Sequence, residues 1–387
     1  LAVAPNDPEA NFFRAITRVL RPFEDEQDGP AANDSVKELL ERFGYFVHNR
    51  SVFDFQFTAP PQLPNDSPTG ADLQDFVENH WLPEVTGAIA NLQKIGQGFQ
   101  LNLSRAALAT IGEDADTDIE LDFGDAKLLQ ALLGFVQSQL RALWTAYDLN
   151  VDIDALSALD DLNVQTDVLD AYPQFLNLAA AGSVKLGQAK TELLAAIDAY
   201  YAASNFIRNL DDANQGDDLV TIEAADISDS LAFRTALGEV RCSLSGRPLQ
   251  SLTETQAVCA PGGNPQIDDQ VVNLQRFFDS PVSLRGLLPP FGRDAECGKD
   301  YVDVGEITQN TPFPDPTFNA ILPNGTQDDL LGITPGIEVV GASAFTELRA
   351  NPGSTDSSFS WIQMTEGDLP LRPVRIDSIS LRRGNVF

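Results

Sequence analysis

The sequence predicts a mainly α protein: a bundle of helical hairpins that carries a small acidic β-ribbon and ends in an irregular, partly β region. Three observations lead to that expectation. Apolar residues recur at helical spacing through most of the first 240 residues. One stretch, from Asp114 to Asp125, instead places a carboxylate at nearly every second position. After about Arg241, glycine and proline punctuate the chain every few residues and helical periodicity survives only in short pieces.

The first helix is expected from Pro8, with Asp7 as its N-cap and Phe12, Phe13, Ile16, Val19 and Leu20 at helical spacing. A second, over 35–46, carries Val36, Leu39, Leu40 and Phe43. A third, over 71–95, carries Leu73, Phe76, Val77, Trp81, Val85, Ile89, Leu92 and Ile95, and Pro83 is expected to kink or split it. Gly96 and Gly98 read as its C-cap. The clearest helix, over 125–147, has Leu128, Leu129, Leu132, Val136, Leu140, Leu143, Trp144 and Tyr147 as its core stripe, and an Ala-, Leu- and Tyr-rich helix follows over 184–210. Segments 21–34 and 59–70 read as loops from their Pro, Gly, Asn and Asp content.

The chain opens on Leu1, Ala2, Val3 and Ala4, which read as the last turn of a helix, so residues ahead of Leu1 are expected. The text Ala4-Pro5-Asn6-Asp7-Pro8-Glu9-Ala10, followed by an amphipathic helix, resembles the junction between two tetratricopeptide repeats. The resemblance covers about the first twenty residues, and no repeat period continues beyond them. It implies helix-pair packing, a partner-binding role, and kinship with the exported, cell-surface bacterial proteins of that kind.

Counted from Asp114, carboxylates fall at positions 1, 3, 5, 9 and 12 (Asp114, Asp116, Asp118, Asp122 and Asp125), close to the ligand spacing of a Ca2+-binding EF-hand loop. Ile119 stands where the loop's sharp turn wants glycine, and Asp125 is shorter than the usual glutamate. The competing reading is a strand over 118–123, with Ile119, Leu121 and Phe123 toward the core and the acids toward water. A second alternation over 148–154 would pair with it near 150–154. A third reading puts an irregular cation site on the acidic face of that ribbon.

A domain boundary is expected near 240–265, dividing a helical 1–240 from an irregular 241–387. In the second part, 269–278 and 328–331 read as short helices, 337–340, 359–364 and 374–381 as strands, and 332–387 as a tail. The three cysteines, Cys242, Cys259 and Cys297, match no metal or redox spacing. In an oxidising compartment Cys242 would pair with Cys259 and leave Cys297 over; three reduced thiols are the alternative.

A formal net charge of −32, from 57 acidic against 25 basic side chains, argues against nucleic-acid partners, because such a surface repels phosphate. No apolar run approaches the roughly 20 residues of a transmembrane helix. No GxSxG, HExxH, Walker or GxGxxG pattern stands in its proper context. The two histidines, His48 and His80, read as packed or surface residues. The last stretch is basic, with Arg372, Arg375, Arg382 and Arg383 against Asp377, and Ile376, Ile379 and Leu381 give it strand character.

These features together suggest a non-enzymatic, extracellular or cell-surface structural protein with no certain cofactor, Ca2+ being the one candidate. It would self-assemble, as a filament or surface-layer subunit, by docking Arg372, Arg375, Ile376, Ile379, Leu381, Arg382 and Arg383 on an acidic neighbour. Its partners would be copies of itself or another exported protein. The alternatives are a periplasmic or secreted tetratricopeptide-like binding module and a carboxylate-dependent hydrolase.

Overall fold

The computed structural model describes residues 5–23, 34–47, 57–58, 60, 62–106, 118–159, 164–209, 218–222, 226–267, 270–287, 291–293, 300–303 and 375–376. Helix α1 (Pro8–Leu20) starts where expected: the Asp7 carboxylate accepts from the Ala10 N–H at 2.8 Å, and Pro8 occupies the first turn. Helix α2 (Val36–Arg42) is capped by Ser35, and the two-residue strands β1 (Phe46–Val47) and β2 (Phe57–Thr58) pair after it.

Helix α3 (Gly70–Phe76) begins with a capping box between Thr69 and Asp72, and it runs through one π turn (Val77–Trp81) directly into α4 (Leu82–Leu92). Pro83 therefore does not split the helix. The wider turn ahead of it, closed by the Leu82 N–H to the Val77 carbonyl, makes room for the ring and for the missing donor. Helix α4 ends at Gln93 in right-handed backbone, and neither Gly96 nor Gly98 adopts a positive φ, so these glycines are not a left-handed cap.

Strand β3 (Gln100–Leu103) pairs antiparallel with β4 (Ile119–Asp122), in the register Gln100↔Asp122 to Leu103↔Ile119. The expected ribbon is thus present, but its second strand is 100–103 rather than 150–154. In the 148–154 segment, Asp148 accepts from the Asn150 N–H at 2.9 Å, and Asp152 caps α6 (Ile153–Ser157) by accepting from the Ala155 N–H at 3.0 Å. Short acidic side chains that bond their own backbone compete with strand pairing. The alternation also fails in detail: Glu120 and Asp122 are buried along with Leu121 and Phe123, so both faces of β4 are covered.

Helix α5 (Phe123–Gln139) continues through a π turn (Leu140–Thr145) and lies against α7 (Gly182–Asn209), the two running antiparallel. A third π segment spans Val164–Asp170. The α5–α7 contact is made by small residues. A Cβ on Gly134 would stand 2.8 Å from the Ala196 Cβ, and Ser138 Oγ donates to the Ala189 carbonyl at 2.8 Å. Ala131, Gly134 and Ser138 share the buried face, whereas Leu132, Leu143 and Trp144 of the expected core stripe are 59%, 51% and 40% exposed. Close helix approach selects small side chains, so the large ones are turned to the other sides.

Helix α8 (Ile227–Ser243), the hairpin β5 (Leu249–Leu252)–β6 (Ala257–Cys259), the short pair β7 (Gln266–Ile267)–β8 (Gln270–Val271) and α9 (Leu274–Asp279) follow. Of the stretch expected as a helix over 269–278, Gln270 and Val271 form a strand and the helix begins only at Leu274. A three-stranded sheet, in the order β11 (Arg375–Ile376), β10 (Asp300–Asp303), β9 (Phe291–Arg293), completes the described residues. The expected elements at 328–331, 337–340 and 359–364 lie outside them.

Two larger cores result. One joins α1, α4, the ribbon and α5 through Phe12, Val85, Leu92, Phe99, Leu121 and Leu133. The other joins α7, α8, the hairpin and α9 through Leu186, Ile197, Tyr201, Leu237, Leu244 and Phe278. Residues on both sides of the expected 240–265 boundary share this second core. Among the described residues no helix is long and apolar enough to cross a membrane.

Gly134→Leu is expected to lower stability by about 1–3 kcal/mol or more through overpacking. Gly187→Ala, on α7 where a Cβ meets nothing within 4 Å, should instead raise it by about 0.5–1 kcal/mol. Urea unfolding of the two variants checks the pair.

Candidate functional site

Of the five acids with EF-hand spacing, Asp118, Asp122 and Asp125 lie among the described residues, and Asp114 and Asp116 lie outside them. Asp118 Oδ1 accepts from the Arg105 N–H at 2.7 Å. Asp122 and Asp125 form the capping box of α5: Asp122 Oδ1 accepts from the Gly124 and Asp125 N–H groups at 2.6 and 3.1 Å, and Asp125 Oδ2 accepts from the Asp122 N–H at 2.9 Å. These acids thus start a helix. Among the described residues no group of three or more His, Cys, Asp or Glu side chains is set to hold a metal ion.

The same corner still concentrates negative charge. Leu219 donates its N–H to the Glu120 carbonyl at 3.1 Å, so the 218–222 segment runs beside β4 and brings Asp218 to the cluster. Glu120 Oε1 accepts from Gln100 Nε2 at 2.6 Å. Asp125 Oδ1 is buried without a hydrogen-bond partner. Burial pushes the Asp125 carboxyl up to about 6, against the pull of its backbone hydrogen bond, and the Asp122, Asp218 and Glu120 carboxylates add to the rise.

At the far end of the second core, Cys242 and Cys259 form a disulfide that ties the last turn of α8 to β6. Cys242 is fully buried. Cross-linking a loop of this size stabilises by roughly 3 kcal/mol, mainly by restricting the unfolded chain. Cys297 lies outside the described residues.

Arg375 and Ile376 of the expected assembly segment form β11. They pair antiparallel with β10 of the same chain, Val302 opposite Ile376 and Asp303 opposite Arg375. Arg372, Ile379, Leu381, Arg382 and Arg383 lie outside the described residues, as does His48. The His80 ring stacks on Phe76, with centroids 6.2 Å apart, at the edge of a recess shared with Glu84. Glu84 is engaged on both oxygens, by Arg18 at 3.0 Å and Arg21 at 3.3 Å, and so clamps α1 to α4.

Two further features were not among the expected elements. Arg234 is 1% exposed and lies over the Tyr201 ring at 4.8 Å. Its guanidinium donates to the Thr253 and Glu254 carbonyls at 3.2 and 2.5 Å. Nothing in the local sequence marks Arg234, because its partners are carbonyl groups on a hairpin that folds back on it. The other feature is β3, whose Gln100, Leu101, Asn102, Leu103 alternation is the signal that identifies it. Comparison with protein-family models, with curated proteins and with solved structures finds no match.

The Asp125 shift sets a pH dependence. Its folded-state value lies above the ordinary 3.8, so the stability it contributes is present at low pH and is lost as pH rises from about 4 through about 6. Asp125→Asn keeps an acceptor for the Asp122 N–H and removes the titration. The melting temperature of this variant relative to the unsubstituted protein should rise by a few degrees between pH 4 and pH 8. A difference that stays constant over that range contradicts the assignment.

Proposed function

We propose that this chain is an exported, non-catalytic structural protein that assembles with copies of itself through its basic C-terminal end. The observation that carries this reading is the β10–β11 pairing, in which a strand from the C-terminal end adds to the edge of a small sheet. An edge strand presents unpaired N–H and C=O groups that another strand satisfies. The register suits the match: Val302 stands opposite Ile376, and the acidic Asp303 stands opposite the basic Arg375.

A two-residue strand contributed from far along the chain is well placed for exchange. The same pairing made with the β10 of a second copy conserves its hydrogen bonds and links the copies, closing into a ring or propagating as a filament according to geometry. Charge supports the direction of docking. A chain with net charge −32 repels its copies, and a segment with four arginines against one aspartate over 372–387 offers a surface complementary to the rest. The Cys242–Cys259 disulfide suits a compartment outside the reducing cytosol, and the cell surface is our reading of it.

Light scattering on the full chain and on a chain ending at residue 371 tests this reading. The full chain is expected to grow in mass with concentration, less so at high salt, and the shortened chain to remain a monomer. Two forms that both stay monomeric at high concentration, or that associate equally, overturn it.

A further inference from the structure

Among the described residues, one face of α7 toward its C-terminal end is left open by the other elements. Asp198, Tyr201, Asn205, Phe206 and Asn209 recur along it at helical spacing and floor a cleft of about 380 Å3, within the range of small-ligand sites. One wall is the turn after α4, which presents Gln97 between two glycines; the other is the tip of the β5–β6 hairpin, which presents Thr255. Phe123 closes the floor, its ring edge-to-face with Phe206 at 5.2 Å between centroids.

The side chains state what this cleft can recognise. Among the described residues Asp198 is the one charged residue that lines it, and Arg241 neutralises it at 2.5 Å. An anion would therefore enter a strongly negative molecule and find no free cation, while a cation would find a carboxylate already paired. The remaining polar groups are three amides and two hydroxyls; the Tyr201 hydroxyl donates to the Arg234 carbonyl at 2.8 Å, and the others are each able both to donate and to accept. Gln97 and Thr255 spend none of this capacity on the protein, and Asn209 Nδ2 donates to the Asn205 backbone carbonyl and Oδ1, which leaves the Asn205 amide donor open. The half-buried Phe206 adds an aromatic surface suited to the C–H face of a flat, polar molecule.

We propose that this cleft binds a short neutral saccharide. Hydroxyl groups both give and accept hydrogen bonds, as the amides do, and a sugar ring offers an apolar face to Phe206. The hairpin wall is held in place before any ligand arrives. Arg234 grips the Thr253 and Glu254 carbonyls just ahead of Thr255, and the Cys242–Cys259 bond fixes the other end of the hairpin to α8. A wall ordered in advance lowers the cost of binding. The site stands apart from the β10–β11 pairing, so it does not depend on the assembly reading.

Titration calorimetry of the full chain with maltotriose, cellotriose and diacetylchitobiose is the test, with a uronic-acid disaccharide and a glucosamine disaccharide as charged counterparts. At least one neutral probe is expected to bind with Kd of about 1 mM or tighter. Asn205→Ala should weaken it by about tenfold or more, and so should the paired Gln97→Ala and Thr255→Ala changes at exposed loop positions that leave the fold intact. Leu132→Ala, on α5 away from the cleft, should leave binding unchanged. No heat from any neutral probe, equal or tighter binding of a charged counterpart, or binding that survives the loop substitutions overturns the proposal.

Discussion

The close approach of α5 and α7 is the constraint on which the rest of the molecule depends. At Gly134 there is no room for a Cβ against Ala196, and Ser138 crosses to a carbonyl of α7 a turn away. Further along, Arg141 pairs with Glu192 at 2.8 Å, and Gly182 fits against the Ala146 carbonyl where a side chain could not. Helices held this close have their relative position set by backbone shape rather than by adjustable side chains. The N-terminal elements then build on α5, and α8, the disulfide-linked hairpin and α9 build on α7.

Electrostatics works against this frame at one corner. Carboxylates at the start of a helix are favourable, since they satisfy open N–H groups and complement the dipole. The beginning of α5 has more of them than capping requires: Asp122 and Asp125 make the box, and Glu120 and Asp218 crowd beside it. Burial of so many like charges raises the Asp125 carboxyl into the range where it titrates near neutrality. A chain with 57 acids meets this conflict wherever its acidic surface turns inward.

Helices were legible in the sequence wherever apolar spacing and a capping residue agreed, as at Asp7-Pro8 for α1 and over the long α7. The disulfide was legible because two cysteines fell in a stretch with little other means of holding its shape. The inward face of α5 was not, since large apolar residues advertise burial while the tightest contact is made by glycine, alanine and serine. The 71–95 helix was legible as one stretch, but not how it passes Pro83, because a π turn absorbs a proline that ordinarily kinks or ends a helix. The ribbon's partner strand was misassigned for a different reason: local carboxylate-to-backbone bonds at Asp148 and Asp152 defeat the alternation around them. The cleft on α7 had no sequence signature, because its walls and part of its floor are single residues, Gln97, Thr255 and Phe123, from three segments remote in sequence from α7.

Native-state hydrogen exchange tests the central claim, that the α5–α7 contact makes one frame carrying both the N-terminal helices and the disulfide-linked hairpin. Buried amides of α5, α7, α8 and β5–β6 are expected to exchange slowest and with a common free energy, equal to that of global unfolding. Exchange of α8 and the hairpin as a separate unit, well below the opening energy of α5 and α7, would show two independently stable bodies and contradict the account.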